Sequence, residues 1–227
     1  MLKKMKILFG ATLLCAATFI NAAVIGQSET ITLQNTNVNV MLEFDRFDDM
    51  GGTRTLNSVS FSIDGFIIGS GSVENRSEQA STLVSTLSAQ LSLEDEQQNI
   101  LVLTLPTVSN AFEASGFDGD EDFGGTSGTT YDDLFAEALT QEVYTEADTL
   151  AFFSGGGVAN FLFRASTMSM VTGSGNFIST FDTDAVGGIV EVSYDFTETQ
   201  MQVSAPSHLA LLGFGLLAFA GLRKVRK

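Results

Sequence analysis

The stretch Phe117-Asp118-Gly119-Asp120-Glu121-Asp122-Phe123-Gly124-Gly125 holds the most pointed chemistry in the chain. Asp118, Asp120 and Asp122 alternate as the first three ligands of a calcium loop do. Hard cations want clustered carboxylate oxygens on a backbone that glycine allows to turn. These three are therefore the candidate metal residues, with Ca²⁺ as the candidate ion. The EF-hand pattern fails further along: the twelfth position from Asp118 is Thr129 rather than Glu, and the sixth is Phe123 rather than Gly. The preferred reading is an acidic, solvated turn between strands, with Phe117 and Phe123 pinned into the core and no cofactor. Asp132 and Asp133 complete a site only if the loop folds back. Asp45, Asp48 and Asp49, ahead of Gly51-Gly52, form a weaker candidate of the same kind. Glu94-Asp95-Glu96 reads as a solvent-facing hairpin tip.

Other chemistry is settled by subtraction. The only Cys is Cys15 and the only His is His208; every Lys lies within the first six or the last four residues, and Trp is absent. All of these fall in two terminal segments that read as addresses. The body between them has no thiolate, no His-based triad, no Schiff-base lysine and no His or Cys metal ligand. Catalysis there would rest on carboxylates, Tyr, Ser or Thr.

At the N-terminus, Lys3, Lys4 and Lys6 precede an apolar run from Ile7 to Ile20, with small Ala22 at the exit position. This is the layout of a secretory signal peptide over residues 1–22, cut after Ala22 by signal peptidase. A lipoprotein reading would use Cys15, but Leu14 stands where a small residue is needed. At the other end, the 14 apolar residues Leu209 to Leu222 are followed by Arg223, Lys224, Arg226 and Lys227. A helix of that length covers about 21 Å against a hydrocarbon core of about 30 Å. It is short for a permanent transmembrane helix, and its basic end favours the cytoplasmic side. A short motif, an apolar helix and a basic tail share the logic of a removable anchor.

Removing both ends changes the charge. The chain has 11 basic and 27 acidic residues; the body keeps all the acids but only Arg46, Arg54, Arg76 and Arg164, leaving a formal net charge of −23. Such a body repels nucleic acid and anionic membrane surfaces. At about 180 residues it fits one domain with a proper core. Nineteen Phe against three Tyr indicate that aromatic residues are used for packing.

The elements that position these residues are strands. Val59, Phe61 and Ile63 alternate with serines, as do Leu83 to Leu93 and Val190 to Phe196 with polar residues. Each reads as a strand with one wet face. Ile100 to Leu105 and Val158 to Met170 read as further strands, the latter with Phe161 and Phe163 inward. Shorter candidates are 29–34, 37–44, 69–75 and 176–180. Turns are expected at 48–52, 154–157 and 185–188. Asp132 to Asp148 has helix-favouring composition, and a short helix or turn followed by a strand from Gln141 to Thr145 is expected. The fold class is all-β: a single antiparallel β-sandwich over 23–197, jelly-roll or Ig-like. It is flanked by an N-terminal signal helix, a linker over 198–204 and a C-terminal apolar sorting helix within 205–227.

The C-terminal stretch LALLGFGLLAFAGLRKVRK, preceded by Ser204-Ala205-Pro206-Ser207, resembles the PEP-CTERM sorting signal of Gram-negative bacteria. Pro206 matches the second proline of that family's motif, Ala205 stands where Glu is usual, and Ser204 replaces the first proline. The resemblance implies processing by an exosortase, with Ala205, Pro206 and Ser207 as the processing residues. It also implies transient residence in the inner membrane through 209–222. The body is similar to the choice-of-anchor E domain of bacterial surface proteins, on EFDRFD, LNSVSFSIDG, GSVENRSEQA and LPTVSNAFEASGFDGDEDFGGTSGTTYDDL. That resemblance implies a β-rich surface domain and brings no catalytic residue with it.

Three function classes follow. The leading one is a non-catalytic protein of the cell surface or of an exopolysaccharide or biofilm matrix, exported across the inner membrane. The second is a glycan-binding β-sandwich module, for which aromatic platforms are sparse in a chain without Trp. The third is a carboxylate-based glycosidase, whose acid pair sequence does not identify. No catalytic residue is nominated.

Overall fold

The computed structural model describes residues 20–34 and 37–199. Contacts divide the chain into a compact unit from Ala22 to Thr197 and a second unit, 1–21 with 198–227, nearly all of which lies outside the described residues. The expected signal helix up to residue 19, the sorting motif and the apolar helix fall there. The chain forms β1 (Ile20–Gln34), β2 (Val38–Asp45), β3 (Arg54–Asn75), β4 (Ser81–Glu94), β5 (Ile100–Thr104), β6 (Thr107–Ala114), β7 (Gly128–Tyr144), α1 (Ala147–Phe153), β8 (Val158–Thr172) and β9 (Phe177–Thr199). Ile20, Asn21 and Ala22, expected at the end of the signal segment, are extended at the start of β1. β9 continues two residues into the stretch expected as linker.

The strands make two sheets, β1-β9-β3-β7 and β2-β8-β4, with β5 and β6 both on the far edge of β4. β6 pairs with Ser81 to Ser88 and β5 with Leu91 to Glu94, so together they form one edge strand interrupted at Leu105-Pro106. At the break the Pro106 carbonyl still accepts the Ala89 N–H at 3.0 Å. A proline without an N–H is tolerated there because the strand lies at the edge. With β5 and β6 taken as one, the strand orders become 1-8-3-6 and 2-7-4-5. That is the wiring of a jelly roll and not of an Ig sandwich.

Alternation builds the core. Val59, Phe61, Ile63, Ile67 and Val73 of β3 are buried, and Leu83, Leu87, Ala89, Leu91 and Leu93 of β4 face them. Val190, Val192, Tyr194 and Phe196 complete one sheet, and Phe161 and Phe163 the other. Phe61 touches Tyr144, Phe153 and Phe161 with ring centroids 5.4–5.7 Å apart, so the phenylalanines do serve packing. Offset and edge contacts at such distances add to simple burial.

Two expectations are corrected. Asp132 to Tyr144 is not helical: β7 is one continuous strand, and the only described helix begins at Ala147. Leu134 and Ala136 are buried at period two, and β7 pairs with β3 from Gly128 opposite Glu74 to Tyr144 opposite Val59. So long a ladder outweighs local helix propensity, which is worth only tenths of a kcal/mol per residue. The expected turn at 185–188 lies inside β9. A Cβ on Gly187 would sit 2.9 Å from the Ile31 carbonyl, and one on Gly188 would sit 2.5 Å from the Asp64 carbonyl. These glycines mark close backbone approach within a sheet rather than a reversal. The strand expected around Val59, Phe61 and Ile63 and the one expected at 69–75 are one, β3, and β6 forms at Thr107–Ala114, outside the expected strands.

Candidate functional site

The acidic loop between β6 and β7 is organised from below. Glu74, near the end of β3, is fully buried; its carboxylate accepts the Phe123 N–H at 2.6 Å and the Ser127 hydroxyl at 2.9 Å. Asn75 beside it donates to the carbonyls of Gln79 and Ser115 at 2.8 and 2.7 Å. Arg76 pairs with Glu121 at 3.0 Å, both largely exposed. Glu74 shares the outward parity of Ser70 and Ser72, and the loop folds over it.

Within this loop the three candidate metal residues do not converge. Asp118 accepts the Asp120 N–H at 3.1 Å, and Asp122 accepts the Gly124 N–H at 2.8 Å. Each closes its own short turn, the usual work of Asp in a loop. Among the described residues no group of three or more Asp or Glu side chains is placed to hold a metal ion. The expectation that Phe117 and Phe123 are pinned into the core is corrected: both are only half-buried, and Glu74 and Asn75 hold the loop instead. The second acidic turn behaves alike. Asp48 accepts the Met50 N–H at 2.9 Å and Asp49 the Gly51 N–H at 3.0 Å. Asp45 engages through its backbone, with its carbonyl accepting the Tyr194 hydroxyl at 2.8 Å.

Glu94 was expected in solvent and is buried at 8 % exposure. It accepts the Arg164 Nε–H at 3.0 Å from the neighbouring β8. Ser92, opposite Arg164 in the ladder, donates to the same carboxylate at 3.3 Å. A carboxylate at this depth needs such partners.

A concavity lies at the other end of β7. A cleft of about 270 Å³ opens between the β4–β5 hairpin, the end of β7 and α1; Asp95, Gln97, Leu101, Tyr144, Asp148 and Phe152 line it. Tyr144 anchors it, with its ring against Phe61 and its hydroxyl donating to the Leu101 carbonyl at 2.6 Å. Burial first, then the nearby Glu142, Glu146 and Asp95, push its phenol above the ordinary tyrosine range. Asp95 is fixed by accepting the N–H groups of Gln97 and Asn99 at 2.9 and 2.8 Å and the Asn99 side-chain amide at 2.8 Å. α1 is held by buried Phe153 and presents Phe152 outward at 37 % exposure. Sequence reasoning missed this site. Local sequence marks Asp95 only as part of a hairpin tip, and nothing in local periodicity brings residues 95, 144 and 152 together.

No family model and no curated protein matches the chain. Among solved structures it is similar to a chain of the infectious bursal disease virus Gx strain, at 12 % identity and TM-score 0.20, covering 91 % of this chain and 52 % of that one. A chain of the T13 particle of the same virus matches at 13 % identity and TM-score 0.19, covering 87 % and 47 %. The tailspike protein of Acinetobacter baumannii phage AM24 matches at 10 % identity and TM-score 0.16, covering 73 % and 27 %. The chain spans about half the length of the viral chains it matches. Likeness at this level carries no functional argument, and the jelly-roll assignment stands on the strand pairing alone.

Proposed function

We propose that this chain is an exported, exosortase-sorted, non-catalytic protein of the cell surface or of an exopolysaccharide matrix in a Gram-negative bacterium. The observation that carries the reading is the tripartite C-terminal address: Ser204-Ala205-Pro206-Ser207, the apolar run 209–222 and the four basic residues after it. The signal-peptide layout before Ala23 supports export. The likeness to choice-of-anchor E domains supports surface display. The compact unit, Ala22 to Thr197, ends close to the places where both address segments are expected to be cut. A body without Lys, His or Cys, built as a jelly roll, suits a displayed or spacing role better than nucleophilic chemistry.

The test is the intact mass of the protein recovered from its host's surface and medium, with both termini mapped. A chain starting near Ala23 and ending near Pro206, lost when the exosortase is deleted, is the expected result. A chain that still carries residues 209–227 would make it a plain membrane-anchored protein and overturn the sorting reading.

A further inference from the structure

We propose that the cleft between the β4–β5 hairpin, the end of β7 and α1 binds an amino sugar. Asp95 and Asp148 would receive its ammonium group, and Tyr144, Phe152 and Leu101 the apolar face of its ring. The inference rests on the cleft and not on the sorting reading.

Charge makes the first selection. Two carboxylates line the cleft and no basic side chain does. Glu142 and Glu146 act on Tyr144 from beside it. Arg46 rests its guanidinium 4.7 Å from the Phe152 ring centre but is not part of the lining. An anion is repelled from such a wall. A neutral apolar ligand would strip water from Asp95 and Asp148 without replacing their hydrogen bonds. A bare divalent cation wants six to eight oxygens, and among the described residues no three acids converge. An organic ammonium fits: it needs two or three acceptors and tolerates aromatic neighbours.

The acceptors share the lining of one cleft. A carboxylate offers about four lone-pair sites, and Asp95 uses three of them on Gln97 and Asn99, so it is oriented with one to spare. The carboxylate of Asp148, an exposed residue, makes no hydrogen bond or ion pair with another described side chain, and the Tyr144 oxygen, having donated its proton to Leu101, remains an acceptor. Shape makes the second selection. The volume of about 270 Å³ falls just below the usual range for small-molecule sites, roughly 300–1,000 Å³, and suits one ring rather than a chain. Aromatic and aliphatic walls suit the C–H face of a pyranose. Gln97 and Thr149, also in the lining, suit its hydroxyls.

The purified full chain is titrated with a glucosamine hexamer, its N-acetylated counterpart, a neutral glucose hexamer and tetralysine, by calorimetry and by tyrosine fluorescence. The expected result is that the glucosamine hexamer binds and the two uncharged hexamers bind at least about tenfold more weakly, as for loss of a charge-assisted hydrogen bond. Asp148→Asn and Phe152→Ala each weaken binding by a similar factor, with melting curves checking the fold. Asp120→Asn, in the acidic loop roughly 50 Å away along β7, leaves it unchanged. Because the site is tested on purified protein, failure here does not touch the sorting reading. No binding of the glucosamine hexamer overturns the proposal. So does equal binding of tetralysine with no effect of Asp148→Asn or Phe152→Ala, since that is plain polycation attraction to an acidic surface.

Discussion

The carboxylate of Glu74 accepts the backbone N–H of Phe123 at 2.6 Å, across 49 residues of chain. Phe123 has φ of 57°, a left-handed conformation that non-glycine residues seldom adopt. A fully buried acid thus holds a half-buried aromatic residue in a strained turn and sets the path of the loop into β7.

Glu74→Ala is expected to cost about 2–4 kcal/mol, because it orphans the Phe123 N–H and the Ser127 hydroxyl, even after a buried polar group is removed. Glu74→Gln keeps one acceptor and should cost less. Thermal melting gives the energies, and hydrogen exchange at the Phe123 amide shows whether the loop opens. Wild-type exchange in Glu74→Ala would mean the loop is held some other way.

The acidic loop should be indifferent to calcium. Asp118 and Asp122 already close turns on Asp120 and Gly124. Millimolar Ca²⁺ is therefore expected to give no saturable heat and no rise in melting temperature beyond that given by Mg²⁺. A calcium-specific rise abolished by Asp122→Asn would restore the calcium-loop reading.

Tyr194 links folding to alkaline pH. Its phenol is buried against Phe47 and Phe153 and is pushed from 10.0 up to about 12, chiefly by desolvation, with Asp45 raising it further and Arg46 opposing. The native state then keeps a proton that the unfolded chain gives up above pH 10. Its contribution is complete below about pH 10, declines as pH rises through about 12, and is gone beyond that. Melting temperature should fall across this window, and Tyr194→Phe should flatten the fall. The same substitution removes one of two donors to the Asp45 carbonyl, leaving the Gln27 side-chain amide at 2.8 Å, at a cost of about 0.5–1 kcal/mol at neutral pH.

Gly69 should tolerate no side chain. A Cβ there would lie 2.4 Å from the Asp182 carbonyl and 2.8 Å from Leu87. Gly69→Ala is expected to destabilise by about 1–3 kcal/mol through overpacking. Gly156→Ala, where nothing lies within 4 Å of the added carbon, should change little. Parallel denaturant titrations of the two variants decide this, and equal midpoints would refute the close approach.

Alternating hydrophobicity made β4, the first half of β3 and the end of β9 legible in the sequence, because each has one face against the core and the other in water. β7 was hidden by its own composition: Glu, Ala and Leu favour helix, and only its pairing with β3 makes it a strand. The same holds for Gly187-Gly188, whose neighbours Ile31 and Asp64 are far off in sequence. The acidic loop was legible as a turn but not as a lid over Glu74, since parity alone puts Glu74 in water. The cleft was illegible for a similar reason. It exists only where a hairpin tip, a strand end and a helix seven residues long meet.

β9, a strand of 23 residues, runs between β1, of 15 residues, and β3 in its sheet. A load applied through Thr199 therefore enters the sheet by an interior strand, not by an edge that peels one bond at a time. Many backbone bonds on both sides must shear together before β9 slides. Mechanical resistance to a load on β9 should therefore exceed what equilibrium stability alone would suggest.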